Sequence, residues 1–413
     1  MPEVKGLIGI RPKDNDIAKE FAAPPYDVIT YGTKLQTVLS SRKNLVHIHL
    51  RPKEEGEEIY NNAKKALKKF RDEGILIEDN EPCYYIYEQE WEGGERIGVI
   101  CAVEVSDYQE GKIIRHEKTF DDKVTDRLNL RKATGYQMGN ILGVVEDKSG
   151  ELLTLLNNIA SSQQPIFNFV CNFEGSSDME GSINKIYRVP QASEEGKKIP
   201  NLLLNENIYI ADGHHRYHAS LKLGQKFTMM YISPSGSAKI QPYGRVIGNV
   251  DEEKLANLPH AISNDFDIKG HDKFEVPEKH SFIFYFKDKI LKITIKPEVL
   301  EEAKNNPLKM LDASILQNRI LFPYLGLSTE NIKDKRYFDY FPGNQVGLAR
   351  MKELVDKGDK YQFAVSLAAV DFNELKAVAD KGIEDPQIVM PQKSTYFWPK
   401  LLSGIILYKF ELK

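Results

Sequence analysis

The run Asp212-Gly213-His214-His215-Arg216 gathers an acid, two imidazoles and a guanidinium around a glycine within about one turn of chain. It follows the apolar segment Ile208-Tyr209-Ile210-Ala211 and opens a helical pattern, His214 to Leu223, which Gly224 ends. The start of a helix presents N–H groups without intrahelical partners and the positive end of the helix dipole. A phosphate placed there accepts those hydrogen bonds directly. Gly213 lets a ligand come close to the backbone. Arg216 offers a planar fork of donors that matches phosphate oxygens. His214 or His215 can add a donor or carry a proton near neutral pH. Asp212 could hold a divalent cation, Mg²⁺, bridging the phosphates, or orient a nucleophile.

Simpler readings compete. Asp212 could serve only as a helix cap and Arg216 only as a surface residue. Paired histidines and an arginine bring no helix-forming advantage, however, so the anion reading is preferred. A zinc site is a further alternative. His214 and His218 stand four apart on one helical face and Glu117 could supply a third ligand, although no cysteine motif and no HExxH supports it.

Other residues could reach such a site. Arg127, beside Asp126, could bind a second phosphate or a substrate carboxylate, or the two could form a local ion pair of little worth. Lys118 and Thr119 follow His116-Glu117 as substrate-contact candidates, or are simply solvated. Tyr26-Asp27, after Pro24-Pro25, could line a substrate site on a rigid loop, or form a proline-stiffened turn around a buried tyrosine. Lys393-Ser394-Thr395 with Lys400 could form a second anion-contacting loop, or an exposed one. Tyr396-Phe397-Trp398 reads as core packing rather than a base-stacking platform. His47 and His49 alternate with Val46, Ile48 and Leu50. That spacing predicts a strand whose histidines face solvent or a polar cleft.

The elements that must position these groups follow from the patterning. A helix is predicted from Glu57 to Glu73, with Ile59, Ala63, Ala66, Leu67 and Phe70 on one stripe and Gly74 as its stop. Residues 83–106 predict a hairpin turning at Glu92-Gly93-Gly94-Glu95. Asp121 to Lys132 predicts a helix. Residues 207–232 predict a strand–turn–helix–strand unit ending in Phe227–Ile232. Beyond residue 245 the pattern predicts a hairpin over Ser281–Ile295, a helix over Pro307–Leu321 and strands over Gln362–Leu367 and Gly404–Phe410.

Composition bounds the function class. The chain has 413 residues, 41% hydrophobic and 28% charged, as expected for a folded protein with a substantial core. A formal net charge of −4 argues against a dedicated nucleic-acid binder, whose affinity would come from Lys and Arg on phosphates. A local basic groove is left open. No secretory signal is expected from the first residues and no run of about 18 apolar residues predicts a membrane span. Cys83, Cys101 and Cys171 form no CxxC and predict packed, reduced thiols, hence a cytoplasmic protein.

Asp212-Gly213-His214-His215-Arg216-Tyr217, with Leu221-Lys222-Leu223-Gly224, resembles the archaeal ADP-dependent free serine kinase family. There a DGHHR motif after a strand binds the nucleotide phosphates. ParB proteins carry a G-E-R-R motif and sulfiredoxins a G-C-H-R motif at the same place, and both bind nucleotides. The serine kinases also carry an upstream His-Glu pair whose glutamate takes the proton of the serine hydroxyl. His116-Glu117 is the matching pair here, and an insertion over residues 121–206 would fill the longer gap. A second resemblance covers nearly the whole chain. Ala22-Ala23-Pro24-Pro25-Tyr26-Asp27-Val28, His116-Glu117-Lys118-Thr119, Asp126-Arg127-Leu128, Ala211 to Arg216 and Met390-Pro391-Gln392-Lys393-Ser394-Thr395 look like the large bacterial family of uncharacterised proteins labelled SpoOJ/ParA/ParB/RepB-like.

Together these resemblances imply an α/β (α+β) fold. A ParB/sulfiredoxin-like nucleotide-binding module with large insertions is expected over residues 1–245 and a mixed α/β region over 246–413. They imply a phosphotransferase that binds ATP, ADP or CTP with Mg²⁺ and acts on a small hydroxyl compound, free serine or phosphoserine. A nucleotide-sensing binder without turnover and a phosphate-ester hydrolase at the same site are the alternatives. The expected partners are the nucleotide and the small substrate, without membrane or nucleic acid.

Overall fold

The segment that delivers Asp212 lies inside a large mixed sheet, and the reason is visible in its residues. Ile208, Tyr209 and Ile210 are all buried, so both faces of this strand are covered. The computed structural model describes residues 2–26, 41–50, 53–117, 119, 121–171 and 181–413. The chain divides into two compact units. Met1–Lys239 and Trp398–Lys413 form the first, and Ile240–Phe397 the second. The tail beyond residue 397 therefore belongs with the N-terminal part, and the strand Tyr243–Gly248 runs across the boundary expected at residue 245.

In the first unit, nine described strands form the main sheet. Its order is Ile113–Ile114, Ile208–Asp212, Ile141–Val145, Phe227–Pro234, Gly94–Glu104, Cys83–Trp91, Ile183–Pro190 and Phe167–Val170, with Val4–Lys5 added beside Gly94–Glu104. Two pairings are parallel: Ile208–Asp212 with Ile113–Ile114, and Phe227–Pro234 with Ile141–Val145. The remaining pairings are antiparallel. The predicted hairpin is present as Cys83–Trp91 and Gly94–Glu104. The strands flanking the predicted helix at 214 are not neighbours, because Ile141–Val145 lies between them. Ile86, Val99, Ile141, Ile210, Met230 and Ile232 form the core with Leu156 and Ile199 from helices Glu151–Ser162 and Glu194–Leu203.

A smaller sheet brings the C-terminus home. Leu407–Lys409 pairs with Gly9–Ile10 on one side and Tyr136–Gln137 on the other. Leu402, Ile405, Ile406 and Leu407 are fully buried, which is why the tail packs into this unit. The predicted last strand is shorter than Gly404–Phe410, since Gly404 takes φ +88° and the ladder starts at Leu407.

Two helices frame the candidate site. Asp121–Thr134 and His214–Leu223 pack together, and Ile59–Asp72 packs on the former. Buried Tyr217 fixes the second helix: its hydroxyl donates to Ser106 O at 2.8 Å and accepts from Ser106 N–H at 3.1 Å.

One predicted strand is absent. Val46–His49 forms a single helical turn, and His49 is buried rather than solvent-facing. Asn44 initiates that turn. Its Oδ1 accepts from Val46 N–H at 3.0 Å and its amide donates to Ala22 O at 2.8 Å. Apolar Leu45, Val46 and Ile48 then fill the core, so burial overrides the period-two pattern.

The second unit carries a six-stranded antiparallel sheet ordered Phe266–Gly270, Ile290–Ile295, Ser281–Tyr285, Tyr361–Leu367, Tyr243–Gly248 and Phe338–Pro342. It contains the predicted hairpin and strand. The predicted helix over 307–321 is broken at Leu311, which is extended at ψ 132°. There Asp312 Oδ1 accepts from His280 N–H at 3.0 Å, and residues Leu316–Leu321 continue as a π-helical turn.

Among the described residues no helix is long and apolar enough to cross a membrane. Cys83, Cys101 and Cys171 are all buried.

Candidate functional site

The strand Ile208–Asp212 ends in an irregularity: its register against Ile141–Val145 shifts between Ile210 and Asp212. Such a bulge re-aims the side chain that follows it. Gly213 then turns the chain at φ +95° and is the cap of helix His214–Leu223. Asp212 is thus not the cap, and no side chain occupies the cap position. Its carboxylate instead meets cations. Lys400 Nζ donates to Oδ2 at 3.0 Å, and Arg216 Nη2 lies 3.5 Å from Oδ1. Burial opposes the charged form. Lys400 and Arg216 outweigh it and hold the carboxyl well below its ordinary value.

That pairing bears on the Mg²⁺ expectation. Both Asp212 oxygens already face a cation, and a divalent ion there would meet the Lys400 ammonium at once. The residues as placed do not fit Mg²⁺. Zinc finds no support either. His214 Nε2 accepts a backbone hydrogen bond, His218 stacks on Tyr108, and among the described residues no three His, Cys, Asp or Glu gather as ligands.

His116, Glu117 and His214 come together across a separation of 98 residues. His116 N–H donates to His214 Nε2 at 3.4 Å, and the two rings meet edge to face at 4.6 Å. An accepting Nε2 leaves the proton of a neutral imidazole on Nδ1. That nitrogen lies 3.8 Å from Glu117 Oε2. Burial, then the neighbouring His116, holds His214 well below its usual range, against the pull of Asp212. Burial also pushes His116 down to about 4. Both rings are neutral at pH 7, so His214 presents a fixed N–H to the glutamate rather than a charge. His215 is half-buried one position on.

Arg216 is buried, not a surface residue. It donates to Asn140 O as well as facing Asp212. It also borders a cavity of about 40 Å³ that Tyr26, His49, Arg127, Arg131 and Ser403 help to line. The Arg127 guanidinium pairs with Asp126 and stacks 4.0 Å above the Tyr26 ring. Arg127 therefore makes the local ion pair and also borders the cavity, as does Tyr26. Thr119 is half-buried, and Lys118 and Asp27 lie outside the described residues. Lys393 and Ser394 belong to the second unit. Lys393 Nζ sits 5.5 Å from the Tyr243 ring centre, and Ser394 Oγ donates to Pro391 O at 2.6 Å.

Sequence reasoning missed Arg131 and misplaced His49. Arg131 follows Arg127 by four positions on a predicted helix, so a shared face was readable. The tertiary contact that buries His49 was not. Arg96 was also missed. It is fully buried and donates to Pro399 O, anchoring the segment that carries Lys400.

The family model described as a protein of unknown function (DUF1015) matches residues 4–314. The chain belongs to this family. A search of curated proteins gives no match. Solved structures similar to this DUF1015 member include a conserved hypothetical protein from Pyrococcus furiosus, 15% identical, covering 76% of this chain and 95% of that one at a TM-score of 0.34. A free serine kinase in complex with AMP is 14% identical, with coverage of 73% and 88% and a TM-score of 0.35. SbnI with a C-terminal truncation, from Staphylococcus aureus, is 12% identical, with coverage of 76% and 83% and a TM-score of 0.37. Likeness at this level carries no conclusion about function.

Proposed function

We propose that the first unit grips the phosphates of a nucleotide (ATP, ADP or CTP) at the start of helix His214–Leu223 and transfers a phosphoryl group to a small hydroxyl compound such as serine. The observation that carries the reading is the meeting of Glu117 with His214. A carboxylate far away in sequence stands 3.8 Å from the imidazole of the first residue of that helix. The cap, Gly213, brings no side chain over the first turn of the helix, where backbone N–H groups can serve an anion. The resemblance of Asp212–Arg216 to the serine kinase motif supports the same assignment.

The chemistry is mainly positioning and charge stabilisation. Glu117 accepts the hydroxyl proton as the substrate oxygen bonds to the terminal phosphorus. The bond from that phosphorus to the bridging oxygen breaks, and the negative charge passes to the nucleotide. Arg216 and the helix amides stabilise it there. His214, neutral, places its Nδ1 3.8 Å from the Glu117 carboxylate, beside the helix start. Asp212 acts through its partners, fixing Arg216 and Lys400. A role as a Mg²⁺ ligand forms no part of this scheme.

The test is a thermal-shift screen of the full chain with AMP, ADP, ATP and CTP. A ligand that binds the native form alone raises its apparent stability by mass action. At least one nucleotide should raise Tm, and Arg216→Ala should abolish that rise. A nucleotide that binds but yields no phosphorylated product with any hydroxyl acceptor would instead favour the regulatory binder.

A further inference from the structure

Among the described residues, the cavity beside Arg216 holds more guanidinium charge than carboxylates to balance it. Three guanidiniums line it, those of Arg127, Arg131 and Arg216, and all are buried. Arginine keeps its charge in proteins. Arg127 has Asp126, and Arg216 has Asp212 at 3.5 Å. Arg131 has only neutral acceptors. Its Nη1 donates to Ser220 Oγ and to Gln225 Oε1, and among the described residues no carboxylate lies within 4 Å of it. His49 is 6% exposed and lines the same cavity, and among the described residues neither of its ring nitrogens has a hydrogen-bond partner. Burial, then Arg127 and Arg216, pushes this ring down to about 3, so it is a neutral donor–acceptor. Burial first, then the neighbouring Arg216 and Arg127 guanidiniums, push Arg131 down to about 9.

We propose that Arg127, Arg131, Arg216 and His49 form an oxyanion pocket for the carboxylate or phosphate group of the small substrate. The inference deepens the phosphotransferase reading and rests on it for the word substrate. It narrows the hydroxyl compound to an anionic one, such as a hydroxy acid, a hydroxy amino acid or a phosphate ester. About 40 Å³ is room for a few atoms, since one water needs roughly 10–15 Å³ on the same measure. The pocket admits an oxyanion head and excludes a base or a ribose. Water alone could satisfy the imidazole of His49 but would leave the guanidinium charge unbalanced in a buried setting. A planar carboxylate or a tetrahedral phosphate answers both needs, because each accepts forked N–H donors. Arg216 is shared between this pocket and the helix start, so the anionic end of the substrate sits next to the transferred group.

The experiment is titration calorimetry on the full chain with inorganic phosphate, acetate and glycerol as probes, and separately with ADP. Wild type should bind phosphate or acetate and not glycerol; binding of phosphate alone identifies a phosphate-bearing substrate, and of acetate a carboxylate. Arg131→Gln and Arg127→Gln should each weaken anion binding at least tenfold, as loss of a charge-assisted hydrogen bond requires. ADP affinity should change by less than about threefold. Should Arg131→Gln not fold, Arg127→Gln and His49→Phe carry the test, the latter filling the cavity. The proposal is overturned if wild type binds neither anion, if the variants bind it like wild type, or if ADP affinity falls in parallel. Anion binding that depends on Arg127 and Arg131 in a protein that ignores nucleotides would sink the kinase reading and uphold the pocket.

Discussion

Lys400 Nζ lies 3.0 Å from Asp212 Oδ2 across 188 residues of sequence. The pair ties the C-terminal segment to the end of the strand that opens the candidate site. Removing the cation leaves a mostly buried carboxylate facing Arg216 alone. Lys400→Met should destabilise the protein by about 1–3 kcal/mol. Asp212→Asn on that background should cost less than on wild type, as a double-mutant cycle in urea would register. The sign of the pH effect follows. The folded carboxyl titrates below its ordinary value of 3.8, so the stability it contributes is complete above that pH and fades as pH falls further. Lys400→Met should shrink this acid-side loss.

Gly213 is a position where another residue is strained twice over. Its φ is +95°, and a Cβ built there would lie 2.9 Å from Arg216 Nε. Gly213→Ala should cost about 1–2 kcal/mol from the backbone alone. It should also weaken nucleotide binding by moving the guanidinium. A Gly213→Ala protein with wild-type stability and affinity would show that Arg216 has no fixed role.

The buried histidines predict acid sensitivity. His49 and His116 titrate at about 3 and about 4 in the fold, against 6.5 when exposed. Both must be neutral to stay buried. Below pH 6.5 the unfolded chain takes up protons that the folded chain refuses, so stability falls as pH drops from 6.5 toward 4. The loss should approach about 1.4 kcal/mol per pH unit for each such histidine. Chemical denaturation at pH 7.5, 6, 5 and 4.5 measures it. A flat profile would contradict the neutral, buried state assigned to these rings.

Tyr217 offers a control on how the helix is placed. Its hydroxyl is paired with both the N–H and the C=O of Ser106. Tyr217→Phe should cost about 1–3 kcal/mol by leaving those groups unpaired. A urea melt measures this, and nucleotide affinity should fall only modestly, because the helix start is also fixed by Gly213 and Arg216.

How much of this was readable from sequence can be argued residue by residue. The hairpin at 83–106 and the helix starting at His214 were legible, because strand alternation, Gly turns and the Gly224 stop are local signals. So was the helix carrying Arg127. The partnership of Asp212 with Lys400 was not, since nothing local links a strand end to a tail. His49 was misread because Val46-His47-Ile48-His49-Leu50 alternates like a strand, while the Asn44 side chain accepts from Val46 N–H at the start of a helical turn that buries it. The cations beside the Asp212 oxygens were hidden in the same way, since Lys400 comes from the distant tail. The local elements were legible, but the Lys400 partner of Asp212 is tertiary.

The most direct test of the central claim is ³¹P NMR of the full chain with ADP or ATP and L-serine, comparing wild type with Glu117→Gln. Loss of the general base should lower turnover by about 10²–10⁴-fold while nucleotide affinity holds. The account predicts a phosphoserine signal for wild type and none, over the same interval, for Glu117→Gln. Phosphoserine formed at the wild-type rate by Glu117→Gln would contradict it, as would a wild-type protein that binds no nucleotide.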